Sequence, residues 1–227
     1  MLLFAVCLIY AWRTEGARYA QQWFLIGYIF AILLISLLVV VGERGQIAYN
    51  RNMLVFGAAP SLTVMLYPAL FYVAYAIAKR FADAENLRAM AFWIFAITPW
   101  LFLPLDALAL NAGWWFFPSE SFAFFNGIPF YLPFAWSISS AAFFLMMGRI
   151  RKIRFRGNGQ FFAMIIAAPL LAGLLLLLIA LVQVSVDFLA NLGGMTMLYV
   201  VVGILFLLLP LAILVNTRQA SRVKRET

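Results

Sequence analysis

Trp100–Leu110 reads WLFLPLDALAL, one aspartate and one proline in an otherwise apolar run. The run extends over 87–110, long enough for a helix to cross the hydrocarbon core, which takes ~20 apolar residues. Similar runs recur along the chain without the alternation of a membrane barrel. With 67% hydrophobic and 11% charged residues among 227, no soluble fold could hide this much apolar surface. The composition therefore predicts an all-α polytopic membrane helical bundle. Its spans fall at 2–12, 22–42, 53–78, 87–110, 122–148, 160–184 and 192–216, about seven transmembrane helices in a single integral membrane domain covering 1–227.

The first run is short for a full crossing and reads as a partial span, or as one whose start lies upstream of Met1. No positive charge precedes it, whereas Arg13 and Arg18 follow it, so it does not read as a cleaved signal peptide. That charge order favours an outside N-terminus. Alternating the spans from there leaves only Arg44 and Arg51 of the 16 basic residues outside, as the positive-inside rule requires. The C-terminus is then cytoplasmic, and the expected location is the cell (inner or plasma) membrane. The net charge of +8 thus reads as topology rather than as nucleic-acid binding. The run RIRKIRFR at 149–156 is an inside anchor facing membrane lipids, with an anionic-lipid site as the sharper reading.

Absences narrow the chemistry. The chain has no histidine and one cysteine, Cys7. Zinc, haem and thiol chemistry therefore lack their usual ligands, and no disulfide can form within the chain. No phosphate-cradling glycine loop or nucleophile elbow is present. Lys79, Lys152 and Lys224 all fall outside the predicted spans, so a retinal Schiff base has no candidate within the bundle. Neither a metal nor a cofactor is expected.

Polar residues inside lipid cost insertion energy and prolines remove backbone hydrogen bonds, so the stretch from Pro104 to Trp136 encodes more than anchoring. Span parity brings Glu43, Asp106 and Asp187 to one membrane face, with Asp187 read as a solvated loop carboxylate. Glu43 reads either as half of an interfacial ion pair with Arg44 or as a partner of Asp106. Trp114 and Trp115 fit an interfacial aromatic belt, and Asn111 adds a polar group to the same stretch. Pro99 and Pro104 flank Asp106 and predict a kinked or unwound helix with freed carbonyls. An internal echo accompanies the acids: Gly57, Pro60 and Tyr67 follow Glu43, and Gly127, Pro129 and Trp136 follow Asp106. The echo suggests a parallel repeat of units 22–78 and 87–148, with a site between the halves.

These segments resemble the two signature regions of a carotenoid-biosynthesis membrane family that includes the carotenoid 1,2-hydratases, also called bisanhydrobacterioruberin hydratases. The resemblance covers roughly residues 40–140. It rests on Glu43, Gly45, Tyr49, Gly57 and Pro60 in the first region, then on Asp106, Trp114 or Trp115, Gly127, Ile128, Pro129 and Trp136. Two positions depart from the pattern: Leu132 stands where a polar residue is expected, and Tyr67 closes the first element in place of Trp. The resemblance implies a lyase-class enzyme that needs no cofactor and hydrates the terminal double bond of an acyclic carotenoid, a lipid-phase polyene. Protonation by a buried carboxylic acid, a tertiary carbocation and capture by water are the implied steps. Asp106 is then the candidate acid, and Glu43 its partner or the group that orients water. Tyr49, Trp114, Trp115 and Trp136 form the candidate aromatic lining, able to stabilise a cation, and Pro129 and Asn111 complete the substrate-binding set. A carotenoid-end cyclase would use the same protonation but exclude water. A transporter or assembly protein would leave lipids chemically unchanged.

Overall fold

The computed structural model describes residues 2–41, 48–49, 55–56, 59–116, 127–129, 131–153, 155 and 158–182, with isolated positions up to 204. Six helices carry the fold among these residues. They are α1 (Leu2–Glu15), α2 (Ala17–Val41), α3 (Ser61–Ala78), α4 (Leu87–Asn111), α5 (Leu132–Lys152) and α6 (Gly159–Val182). Four two-residue strand segments join them: β1 (Ala48–Tyr49), β2 (Val55–Phe56), β3 (Ala59–Pro60) and β4 (Trp115–Phe116). The strand β2 pairs antiparallel with β3, and β1 with β4. Three helices, α2, α4 and α6, are long and apolar enough to cross a membrane, and α3 contains a shorter apolar segment, Val64–Ala78. The predicted span at 192–216 lies outside the described residues apart from Ile204.

Two predicted spans begin later than expected, and proline is the reason in both. The span at 53–78 is helical only from Ser61, directly after Pro60, while Val55–Phe56 and Ala59–Pro60 pair with each other as β2 and β3. The span at 122–148 is helical from Leu132, with Pro133 in the first turn of α5. A proline is tolerated at a helix start because its missing N–H would be unsatisfied there anyway, and it disfavours helix in the residue before it. Pro129 and Pro133, which fall inside the predicted span at 122–148, therefore precede and open the helix instead. At Pro99 and Pro104 the helix does not unwind, since α4 stays helical through both.

Adjacent helices alternate in direction. Glu15 at the end of α1 meets Lys79 just past α3, at 2.6 Å, and Arg151 near the end of α5 lies over the ring of Tyr19 near the start of α2, at 4.1 Å. Lys152 also reaches the Glu85 carbonyl just before α4, at 3.1 Å. The start of α2, the end of α3, the start of α4 and the end of α5 thus share one face. At the opposite face, the β1–β4 pair ties the segment after α2 to the segment after α4. The Glu15 carboxylate holds the Lys79 ammonium above its ordinary range. That contribution is complete below the unfolded lysine value of about 10.4 and is lost only as pH rises past it.

Aromatic rings are prominent among the buried residues of the core. Helix α1 packs on α2 and α3, α2 on α3, α3 on α4, and α4 on α5. Phe143 of α5 contacts Trp23 and Phe30 of α2 and Phe71 of α3, with centroids 5.2, 5.4 and 5.8 Å away. Such pairs add ~0.5–1.5 kcal/mol each beyond burial. Small residues let backbones approach where lipid supplies no hydrophobic drive. Gly27 does so between α2 and α3, where the Trp23 indole donates to the Pro68 carbonyl at 3.1 Å.

A Cβ at position 27 would lie 2.8 Å from Pro68 Cβ and 3.3 Å from Phe143 Cζ. Gly27→Ala should therefore lower stability by about 1–3 kcal/mol from overpacking, more than the ~1 kcal/mol alanine gains in helix propensity. Thermal unfolding in detergent micelles reads this directly, and an unchanged or raised midpoint would show that the α2–α3 contact is not tight.

Candidate functional site

Asp106 lies on the inward face of α4, five residues before its end, and is 2% exposed. The start of α4 is set by Asn86, whose side chain accepts a hydrogen bond from the Ala89 N–H at 3.1 Å, a helix cap. Helix α5 enters with Leu132 and Pro133 and turns Trp136 toward α4. The Trp136 indole Nε1 donates to Asp106 Oδ2 at 3.2 Å, both groups being buried. Among the described residues no Lys or Arg forms an ion pair with Asp106.

Three aromatic rings from three helices, that of Trp136 among them, pack together beside this bond. Tyr67 of α3 meets the Trp136 ring edge-on with centroids 4.9 Å apart, and Phe102 of α4, one turn before Asp106, stacks on it at 5.4 Å. Tyr67 and Phe102 are themselves 5.5 Å apart. Tyr67 and Trp136 are the residues that close the two echoed sequence frames, so the frames meet side chain to side chain. Phe71 extends the cluster from Phe102 toward Phe143 and Trp23.

A hydroxyl network lies further along the α4–α5 seam. Thr98 and Ser140 are 2.6 Å apart, Thr98 donates to the Ile94 carbonyl and Ser137 to the Pro133 carbonyl, all buried. Ser140 also reaches the Ser137 carbonyl at 3.1 Å. Since each hydroxyl has one proton, the Thr98–Ser140 contact has two arrangements: Ser140 donates while Thr98 bonds Ile94, or Thr98 donates while Ser140 bonds Ser137.

Of the other candidates, Trp115 is buried in β4 and its backbone pairs with that of Tyr49 in β1. The two signature segments are thereby joined by main-chain hydrogen bonds. Pro129 and Ile128 are buried, and the Pro129 carbonyl accepts from the Leu132 N–H at 3.1 Å, next to Gly127 at φ 82°. Trp114 is 42% exposed, with its ring 6.5 Å from that of Trp115, and Asn111 is exposed at the end of α4. Glu43 and Asp187 lie outside the described residues. Among the described residues no group of three or more His, Cys, Asp or Glu side chains is placed to hold a metal ion.

Sequence reading overlooked Phe102 and the Thr98–Ser140 contact as members of the site. The signal for the second was present, since Ser137, Ser139 and Ser140 cluster in the apolar α5. For Phe102 there was none, because one phenylalanine among 23 carries no mark of its position.

Trp136→Phe keeps a ring in the aromatic cluster but removes the N–H given to Asp106. A buried acceptor left without a donor costs ~1–3 kcal/mol, whereas replacing both partners by apolar groups costs much less. Trp136→Phe should therefore lower the unfolding midpoint, and Trp136→Phe with Asp106→Leu should recover part of the loss. A double-mutant cycle with no coupling would remove the hydrogen bond from the energetics.

Comparison of the chain with protein-family models, with curated proteins and with solved structures finds no match.

Proposed function

We propose that the chain is a membrane-embedded, cofactor-free carotenoid hydratase that adds water to the terminal double bond of an acyclic carotenoid. The observation that carries this reading is the Asp106 carboxyl, buried inside an apolar helix and bonded by the Trp136 indole, whose ring packs against Tyr67 and Phe102. With Oδ2 taken by the indole, Oδ1 carries the transferable proton. The proton goes to one alkene carbon, the tertiary cation forms on the next, and water captures it. The proton released from that water returns to the carboxylate, so the net change is one water added.

The aromatic faces suit the cation, since a ring can stabilise a positive charge by ~0.5–2 kcal/mol. The β1–β4 pair supports a site shared by the two signature segments, with Tyr49 and Trp115 in register and with Glu43 assigned to orient water. The Tyr67–Trp136 contact supports the parallel repeat of 22–78 and 87–148. The helix directions fit a bundle of about seven spans with the N-terminus outside and the C-terminus cytoplasmic. Cyclisation shares the first step, and the product decides between them: hydration adds the mass of water, cyclisation adds nothing.

Expression in cells that accumulate lycopene or a related acyclic carotenoid should give pigments heavier by one water. Unchanged pigments across several acyclic substrates, with the protein present in the membrane, would overturn the proposal. In Asp106→Asn the product should fall by about 10²- to 10⁴-fold, the usual contribution of a general acid. Asp187→Asn, at matched membrane levels, should leave turnover nearly intact. Full activity in the Asp106 variant would take that residue out of the mechanism.

A further inference from the structure

A groove of about 570 Å³ runs along the outside of α2, and none of the residues that surround Asp106 lines it. Its floor is set by helical spacing: Arg18, Gln21, Gln22, Leu25 and Tyr28 of α2 stand three or four residues apart and so share one side. Phe4 and Leu8 of α1, Met65 of α3 and Phe161 of α6 line it as well. Among the described residues, the charged and amide side chains that α2 contributes gather toward its N-terminal end. Arg18 and Gln21 lie there with Asn158, which stands immediately before the first residue of α6. From Arg18 to Tyr28 is ten residues, or ~15 Å of helix, half of the ~30 Å hydrocarbon core.

We infer that this groove is a binding site for one anionic phospholipid of the adjacent leaflet. Its headgroup phosphate sits at Arg18 and one acyl chain lies along Leu25 toward the membrane centre. Three observations at the mouth favour a negative headgroup. No carboxylate among the described residues pairs with Arg18. The N-terminus of the 24-residue α6 opens onto the same mouth, where the Phe161 and Phe162 N–H groups already turn back on the Asn158 carbonyl and the helix dipole presents its positive end. Gln22 is 5% exposed, lines the groove and has no hydrogen-bond partner among the described residues. Gln22 stands one helical turn deeper than Arg18, at the depth of the glycerol ester oxygens of a lipid whose phosphate sits at Arg18. Among the described residues no acidic side chain lines the groove, so none of them favours the cation of a zwitterionic headgroup. The site is independent of the chemistry proposed for Asp106.

The test is native mass spectrometry of the full chain in micelles containing equal amounts of palmitoyl-oleoyl phosphatidylglycerol and palmitoyl-oleoyl phosphatidylcholine. One phosphatidylglycerol should be retained in preference to phosphatidylcholine. Arg18→Gln should weaken that preference about 10-fold, the factor of a typical charge-assisted hydrogen bond. Leu25→Trp should fill the groove and reduce retention of both lipids. Positions 18 and 25 are exposed, so the core is untouched, and a thermal scan checks that each variant is folded. Equal retention of the two lipids by the unaltered protein overturns the inference, as does a preference that survives both substitutions.

Discussion

A carboxyl group within an apolar helix has to find its hydrogen-bond partner inside the bundle, because lipid offers none. Asp106 finds it in the indole of Trp136, and much of the architecture follows from bringing those two groups together. Helix α5 must begin at the right height, which Pro133 in its first turn arranges, and α4 and α5 must pack closely along their length. The Thr98–Ser140 contact ties the same seam further along. Polar bonding thus holds α4 to α5 where two apolar faces would gain little by leaving lipid.

The aromatic core answers a related difficulty. Without water, helices associate through close packing and polar contacts, and rings supply large contact areas with few rotatable bonds. Trp136, Tyr67, Phe102, Phe71, Phe143 and Trp23 make consecutive contacts from the Asp106 region to the other half of the bundle, where Tyr75 and Tyr19 continue the series. Gly27 is the counterpart of this bulk. It gives up a side chain so that Pro68 can approach, and the Trp23 indole bonds the Pro68 carbonyl there. Large and small residues are therefore complementary at the α2–α3 contact.

The ends of the bundle differ in chemistry. The Glu15–Lys79 ion pair and the Arg151–Tyr19 contact mark one end, and Lys152 joins the start of α4 to the end of α5 there. The other end is closed by backbone pairing between β1 and β4 and by the buried Trp115 and Pro129. Exposed pairs such as these ionic contacts contribute ~0–1 kcal/mol each. Their structural value lies in fixing which helix ends are neighbours.

Composition alone pointed to lipid as the solvent and to helices as the element type, because apolar runs of this length can satisfy their backbone in lipid only as helices, and three of the described helices are long and apolar enough to cross a membrane. The run at 87–110 accordingly matches α4 within a residue, and Asp106 was recognisable as the acid inside it. The helix starts at Ser61 and Leu132 were misjudged because hydropathy does not register a proline's missing N–H, although Pro60 and Pro133 were there to be read. What only the tertiary structure decided was partnership. That the two echoed aromatics touch, that Phe102 joins them, that Trp136 donates to Asp106 and that Tyr49 pairs with Trp115 all depend on how helices rotate about their axes. In a chain apolar on nearly every face, no apolar stripe singles out the inward side of a helix, so close packing and a few polar bonds set the rotation instead.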